Sequence, residues 1–123
     1  MSYHQDWLMR QIESITAMLR WLMAGEKTHL LTFVEEEDTN SGTNELYLQL
    51  QLLVRQGKIC QAEDLLFEAM EEPNRQTYEA AVQFYEDLND FSDSALQQAN
   101  FSREEIYEGL QEVCRVFGLP YME

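Results

Sequence analysis

The stretch LYLQLQLLVRQGKICQAEDLLFEAM, from Leu46 to Met70, decides the fold. Leu46, Tyr47, Leu50, Leu53 and Val54 recur at helical spacing, and Gly57 then offers the positive φ that ends a helix. Ile59, Ala62, Leu65, Leu66, Ala69 and Met70 resume the period beyond it with almost no connector. Two amphipathic helices joined so tightly fold back as an antiparallel αα-hairpin. Thr43 is the expected N-cap of the first, which runs to about Gln56; the second runs from Lys58 to about Glu71, and Pro73 closes the pair.

Downstream, Asn74 is placed to cap a helix reaching about Asn89, with Tyr78, Ala81, Val82, Tyr85 and Leu88 along one face. Phe91-Ser92 followed by Leu96 predicts a shorter helix. In Phe101-Ser102-Arg103-Glu104-Glu105-Ile106, Ser102 is the N-cap, Glu105 its capping-box partner, and Phe101 and Ile106 form a hydrophobic staple. Ile106, Leu110, Val113 and Phe117 continue the buried face, Arg115 suits the helix dipole, and Gly118 with Pro120 ends the helix.

Upstream, residues 1–25 read as an N-terminal amphipathic helix. Leu8, Ile12, Ile15, Leu19 and Leu22 follow one another in steps of four, three, four and three, which places them on one face. Trp7, Met9, Met18, Trp21 and Met23 widen that stripe beyond what one partner helix covers. It is either a core helix of this domain or an oligomer face. The candidate interaction residues are Leu8, Ile12, Ile15, Leu19, Leu22, Trp7, Met18 and Trp21. Residues 26–42 read as an acidic linker, with Glu35-Glu36-Glu37-Asp38 before the turn-rich Thr39-Asn40-Ser41-Gly42, while 27–34 fit a short extended piece or a further helical turn. Residues 43–123 form the helical domain. The whole is one compact all-α domain: antiparallel helical hairpins packed with a long N-terminal helix.

Charge restricts the partners. Eight Lys and Arg against 23 Asp and Glu leave a net −15 on 123 residues. That field repels phosphate backbones and anionic lipid surfaces, so neither nucleic acid nor membrane is expected as a partner. Asp6, Arg10, Glu13 and Arg20 interrupt any signal-like apolar run, and no stretch approaches the ~20 apolar residues of a membrane span. Cys60 and Cys114 stand far apart in no metal-binding or redox pattern, which fits a reducing compartment. A cytoplasmic setting is expected, and the sequon Asn100-Phe101-Ser102 reads as coincidental.

Neither an enzyme nor a cofactor is expected. His4 and His29 have no histidine or cysteine neighbour at ligand spacing. An EF-hand loop starting at Glu37 places Gly42 at its sixth position but Leu48 at the twelfth, where a bidentate glutamate is required. No phosphate-cradling glycine loop and no nucleophile motif is present. Acidic pairs such as Glu63-Asp64 and Glu104-Glu105 read as solvated faces and first-turn dipole partners.

Two resemblances follow from these residues. Leu46, Leu50 and Leu53 before Gly57, then Ala62, Leu66 and Ala69 before Pro73, resemble a degenerate tetratricopeptide unit, with Leu46 where that repeat carries tryptophan. One unit is too few for a solenoid, which needs about three. Asp6-Trp7-Leu8-Met9-Arg10-Gln11-Ile12-Glu13, Gly57-Lys58-Ile59 with Ala62-Glu63-Asp64-Leu65-Leu66-Phe67-Glu68, and Phe101-Ser102-Arg103-Glu104-Glu105-Ile106 resemble an uncharacterised family of short bacterial proteins, mostly from Firmicutes. That resemblance implies one bacterial cytosolic domain and carries over no site residues.

Three functions remain to be weighed. The first is a protein–protein interaction module or homodimer, resting on the breadth of the N-terminal stripe. The second is a small-molecule or peptide-binding domain with Phe67, Phe84 and Tyr85 near a groove. The third, an enzyme, requires a buried cluster of titratable groups in a cleft.

Overall fold

The computed structural model describes residues 3–23 and 44–119. They form helices α1 (Tyr3–Met23), α2 (Glu45–Arg55), α3 (Ile59–Ala69), α4 (Arg75–Asn89), α5 (Asp93–Gln98) and α6 (Arg103–Val116), with no strand among the described residues. The all-α expectation holds. The acidic linker lies outside the described residues, as do the first seven positions of the rejected EF-hand loop; its last five, 44–48, are Asn44 and the start of α2.

Helices α2, α4, α5 and α6 each start on a side-chain cap that satisfies an orphan backbone N–H, whereas Lys58 at the start of α3 supplies none. Asn74 Oδ1 accepts from the Thr77 N–H at 2.9 Å while Thr77 Oγ1 accepts from the Asn74 N–H at 2.9 Å, a reciprocal capping box. Ser92 caps α5 through the Ala95 N–H at 3.0 Å. Ser102 caps α6 through the Glu105 N–H at 3.2 Å, and its hydroxyl donates to Glu105 Oε2 at 3.0 Å. At α2 the cap is Asn44, one residue beyond the expected Thr43. Its Oδ1 accepts from the Tyr47 N–H at 3.1 Å while its Nδ2 donates to the Gln76 carbonyl at 3.0 Å, so one amide both starts α2 and ties it to α4. The amide carries its acceptor and its donor on two separate atoms, whereas a threonine hydroxyl holds both on one oxygen.

Three helices end in the same way. Gly57, Asn100 and Gly118 adopt φ of 78°, 63° and 72°. Each is followed by a residue whose N–H returns to a carbonyl five residues earlier: Lys58 to Leu53 at 2.9 Å, Phe101 to Leu96 at 3.0 Å, Leu119 to Cys114 at 2.8 Å. These are Schellman closures. Asn100 takes the left-handed conformation that asparagine tolerates better than other side chains.

Helix α4 lies at the centre and packs against α1, α2, α3 and α6. It therefore buries Ala80 and Phe84 as well as the expected Tyr78, Ala81, Val82, Tyr85 and Leu88. Cross-links fix its neighbours' directions. Asn89 Nδ2 donates to the Met9 carbonyl at 3.4 Å and the Tyr78 hydroxyl to the Leu19 carbonyl at 2.8 Å, so α1 runs antiparallel to α4. Asn89 meets Arg103 while Tyr78 meets Phe117 edge-on at 4.9 Å, so α6 is antiparallel to α4 as well. Consequently α1 and α6 are parallel, with His4 at Glu104 and Trp7 at Tyr107. Helices α2 and α3 form the hairpin that the sequence predicts and close the other side of α4.

Arg103 is the least expected member of the interior, with its side chain only 1% exposed. Its guanidinium donates to the Asn89 carbonyl at 2.9 Å, Asn89 Oδ1 at 3.1 Å, the Phe91 carbonyl at 2.9 Å and Asp93 Oδ1 at 2.7 Å. It thus takes up carbonyls at the end of α4 and pins the turn into α5. A guanidinium fork suits this because it holds several acceptors in one plane.

Candidate interaction surface

The structure divides the eight residues of α1 that the sequence marks for interaction. Leu8, Ile12, Ile15, Leu19 and Leu22 are buried in the chain's own interior, packed where α1 meets α4 and α6. They cannot meet a partner unless that interior opens, so this stripe is corrected from a candidate surface to a core face. Met18 is half-buried against the same core. Trp7 and Trp21 remain, 47% and 56% exposed. Trp7 is held between His4 and Tyr107, each with its ring centroid 6.1 Å away.

Sequence reasoning missed the outer face of α2. This helix is apolar nearly all round, and only Leu50 is fully buried. Leu46, Tyr47, Leu53 and Val54 pack partly against the core. Leu48 and Leu52, one turn apart, point outward and are 48% and 57% exposed. Glu45 and Arg55, also exposed, flank them at the two ends of the helix. Steps of three, four and three put all four on one face. The available signal was the presence of leucines in excess of the inward stripe.

A groove of about 260 Å³ opens where the C-terminal end of α1 and the start of α2 meet α4. Arg20, Tyr47, Tyr78, Val82 and Gln83 are among its lining residues. Arg20 grips Glu86 through two bonds of 2.7 Å and Gln83 Oε1 at 2.6 Å, and that hydrogen-bonded carboxylate raises the arginine's pKa. Burial, with the Asp87 carboxylate bonded to it, pushes the Tyr47 hydroxyl up to about 12. Phe67, Phe84 and Tyr85, the rings expected near a groove, lie elsewhere. Phe84 and Tyr85 are buried edge-to-face at 4.9 Å, and Phe67 packs partly on the core.

Three of the four carboxylates in the acidic pairs Glu63-Asp64 and Glu104-Glu105 have structural partners: Glu63, Glu104 and Glu105. Glu63 is half-buried, and its Oε2 accepts the Tyr85 hydroxyl at 2.6 Å. Burial raises the Glu63 pKa, the tyrosine bond opposes the rise, and Glu105, Asp64 and Glu108 add to it. Glu104 pairs with His4 at 3.1 Å, Glu105 accepts from Ser102, and Asp64 is exposed. Cys60 is exposed and Cys114 buried, both as free thiols. Burial raises both pKa values, Cys114 to about 11. Among the described residues no group of histidine, cysteine and carboxylate side chains could hold a metal ion. None of the described helices is long and apolar enough to cross a membrane.

Comparison with curated proteins finds no match, and comparison with solved structures finds none either. The family comparison does find one, and its match spans residues 2–118, from the start of α1 to the turn that closes α6. This chain belongs to the family of unknown function DUF6483.

Proposed function

We propose that this chain is a non-catalytic helical protein that works through protein–protein contact, with a second copy of itself as the first partner. The observation carrying this reading is the outer face of α2, where Leu48 and Leu52 stand half exposed on a helix whose other apolar residues turn inward. Leu48 and Leu52 stand one turn apart, so their exposed area is contiguous and not scattered singly. A net charge of −15 favours a protein partner over nucleic acid or an anionic bilayer. Structural partners for Glu63, Glu104 and Glu105 support reading them as part of the scaffold. Two unpaired thiols suit a reducing, cytoplasmic setting.

Light scattering across a concentration series tests the reading. A mass rising toward two chains is expected; one-chain mass throughout overturns the homodimer. The groove beside Tyr47 and Tyr78 favours a second reading, a small-molecule or peptide site oriented by Arg20 and Gln83. Ligand-observed NMR with a fragment mixture tests it: binding abolished by Y47A supports the site, and no binding removes it.

A further inference from the structure

The outer face of α2 has an internal symmetry that selects its partner. Glu45, Leu48, Leu52 and Arg55 share this face, and all four are exposed. Their positions are arranged evenly about position 50: Glu45 lies five residues before it and Arg55 five after, Leu48 two before and Leu52 two after. When two such helices lie antiparallel across a two-fold axis at position 50, Leu48 of each meets Leu52 of the other. Glu45 of each then meets Arg55 of the other. Gln49 and Gln51 are placed evenly about the same point and border the leucines with amide donors and acceptors. A two-fold interface requires a patch complementary to itself, and this one meets that in residue spacing and in charge.

We propose that α2 is a homodimer face, pairing antiparallel with α2 of a second copy through Leu48–Leu52 contacts closed at both ends by Glu45–Arg55 ion pairs. This rests on the self-association reading above and names its surface. Charge argues for a second copy over an unrelated basic partner. With 23 acidic residues against 8 basic ones, a patch fitted to a basic protein would present carboxylates alone, whereas this one places an arginine at one end. An eleven-residue helix is about 16 Å long, so the contact stays near or below the roughly 1,000 Å² that marks a stable interface. Repulsion between two chains of −15 weakens it further. The pairing is therefore weak and concentration-dependent, with the two ion pairs setting register and direction.

Sedimentation equilibrium of the full chain and its charge variants tests this. E45R alone and R55E alone each set two like-charge pairs across the axis and are expected to weaken dimerisation at least about fivefold. The double variant E45R/R55E restores opposite charges and is expected to return the dimer to within about twofold of the parent. L52D is expected to abolish association, with circular dichroism melts confirming that each exposed substitution leaves the fold intact. A dimeric parent whose affinity is unmoved by these changes overturns the α2 face and leaves self-association standing. Recovery absent from the double variant likewise overturns the antiparallel register. A parent that stays monomeric overturns both.

Discussion

Gly109 of α6 lies against the phenol of Tyr85 on α4 so closely that a Cβ at position 109 would stand 2.2 Å from the Tyr85 Oη and 2.4 Å from its Cζ. The glycine weakens α6 by propensity alone, by about 1 kcal/mol, yet it lets α6 close over a ring that is itself bonded to Glu63 of α3. Three helices thus meet at one hydroxyl. G109A is expected to destabilise the fold by about 1–3 kcal/mol despite alanine's better propensity. Adding Y85F does not rescue it, because the ring carbons crowd the methyl as well as the oxygen does. Urea denaturation of the two variants checks this, and a G109A protein as stable as the parent contradicts it.

Arg103 is expected to be the most sensitive single side chain. Truncation to alanine strands the Asn89 and Phe91 carbonyls and the Asn89 amide oxygen, at a cost of about 3–5 kcal/mol. Lysine is a poor substitute because one ammonium cannot span the same acceptors. Chemical denaturation of R103A and R103K should show a large loss in both, and a near-parental R103K contradicts the fork geometry.

These two residues show where sequence reading stops. The helices, the hairpin at Gly57, and the caps at Asn74 and Ser102 were legible because they depend on neighbours within one or two turns. Phe84 falls outside the inward face that the sequence marks on α4, since nothing local says that four other helices surround that one. Arg103 gave a faint sign: a cation at the first position of a helix opposes the dipole and needs another reason to be there. The sequence leaves the α1 stripe open as a core face or an oligomer face, and the structure buries it in the core. The strict period of Leu8 to Leu22 marks a buried face, but a single sequence does not say whether the chain itself or a partner covers it.

The Glu63 carboxyl should give a recognisable pH dependence. Its folded pKa is raised above the ordinary 4.5 by burial. The folded state therefore holds the proton more tightly, and this contribution to stability is complete below the unfolded value and lost as pH rises through the folded one. E63Q removes the titration, so its stability should fall less steeply than the parent's as pH rises above about 4.5. Denaturation curves at several pH values check the difference. Parallel slopes would show that Glu63 titrates as it does in the unfolded chain.

The two thiols should separate cleanly. Cys114 is buried, its pKa pushed up to about 11, whereas Cys60 lies at the surface. With an excess of a thiol reagent near pH 8, one group per chain is expected to react in the native state and two after unfolding. Cys60 should react slowly for an exposed thiol, because burial of its sulfur and the nearby Glu105, Glu63 and Asp64 disfavour the thiolate. Two rapidly reacting thiols in the native state contradict the packing around α6.

The most direct measurement of the central claim is a concentration series of backbone amide NMR spectra on the full chain. Self-association through α2 predicts concentration-dependent shifts or broadening centred on Glu45 to Arg55, with Leu8, Ile12, Ile15, Leu19 and Leu22 unmoved inside the core. Changes centred on α1, or no change at any concentration, would contradict it.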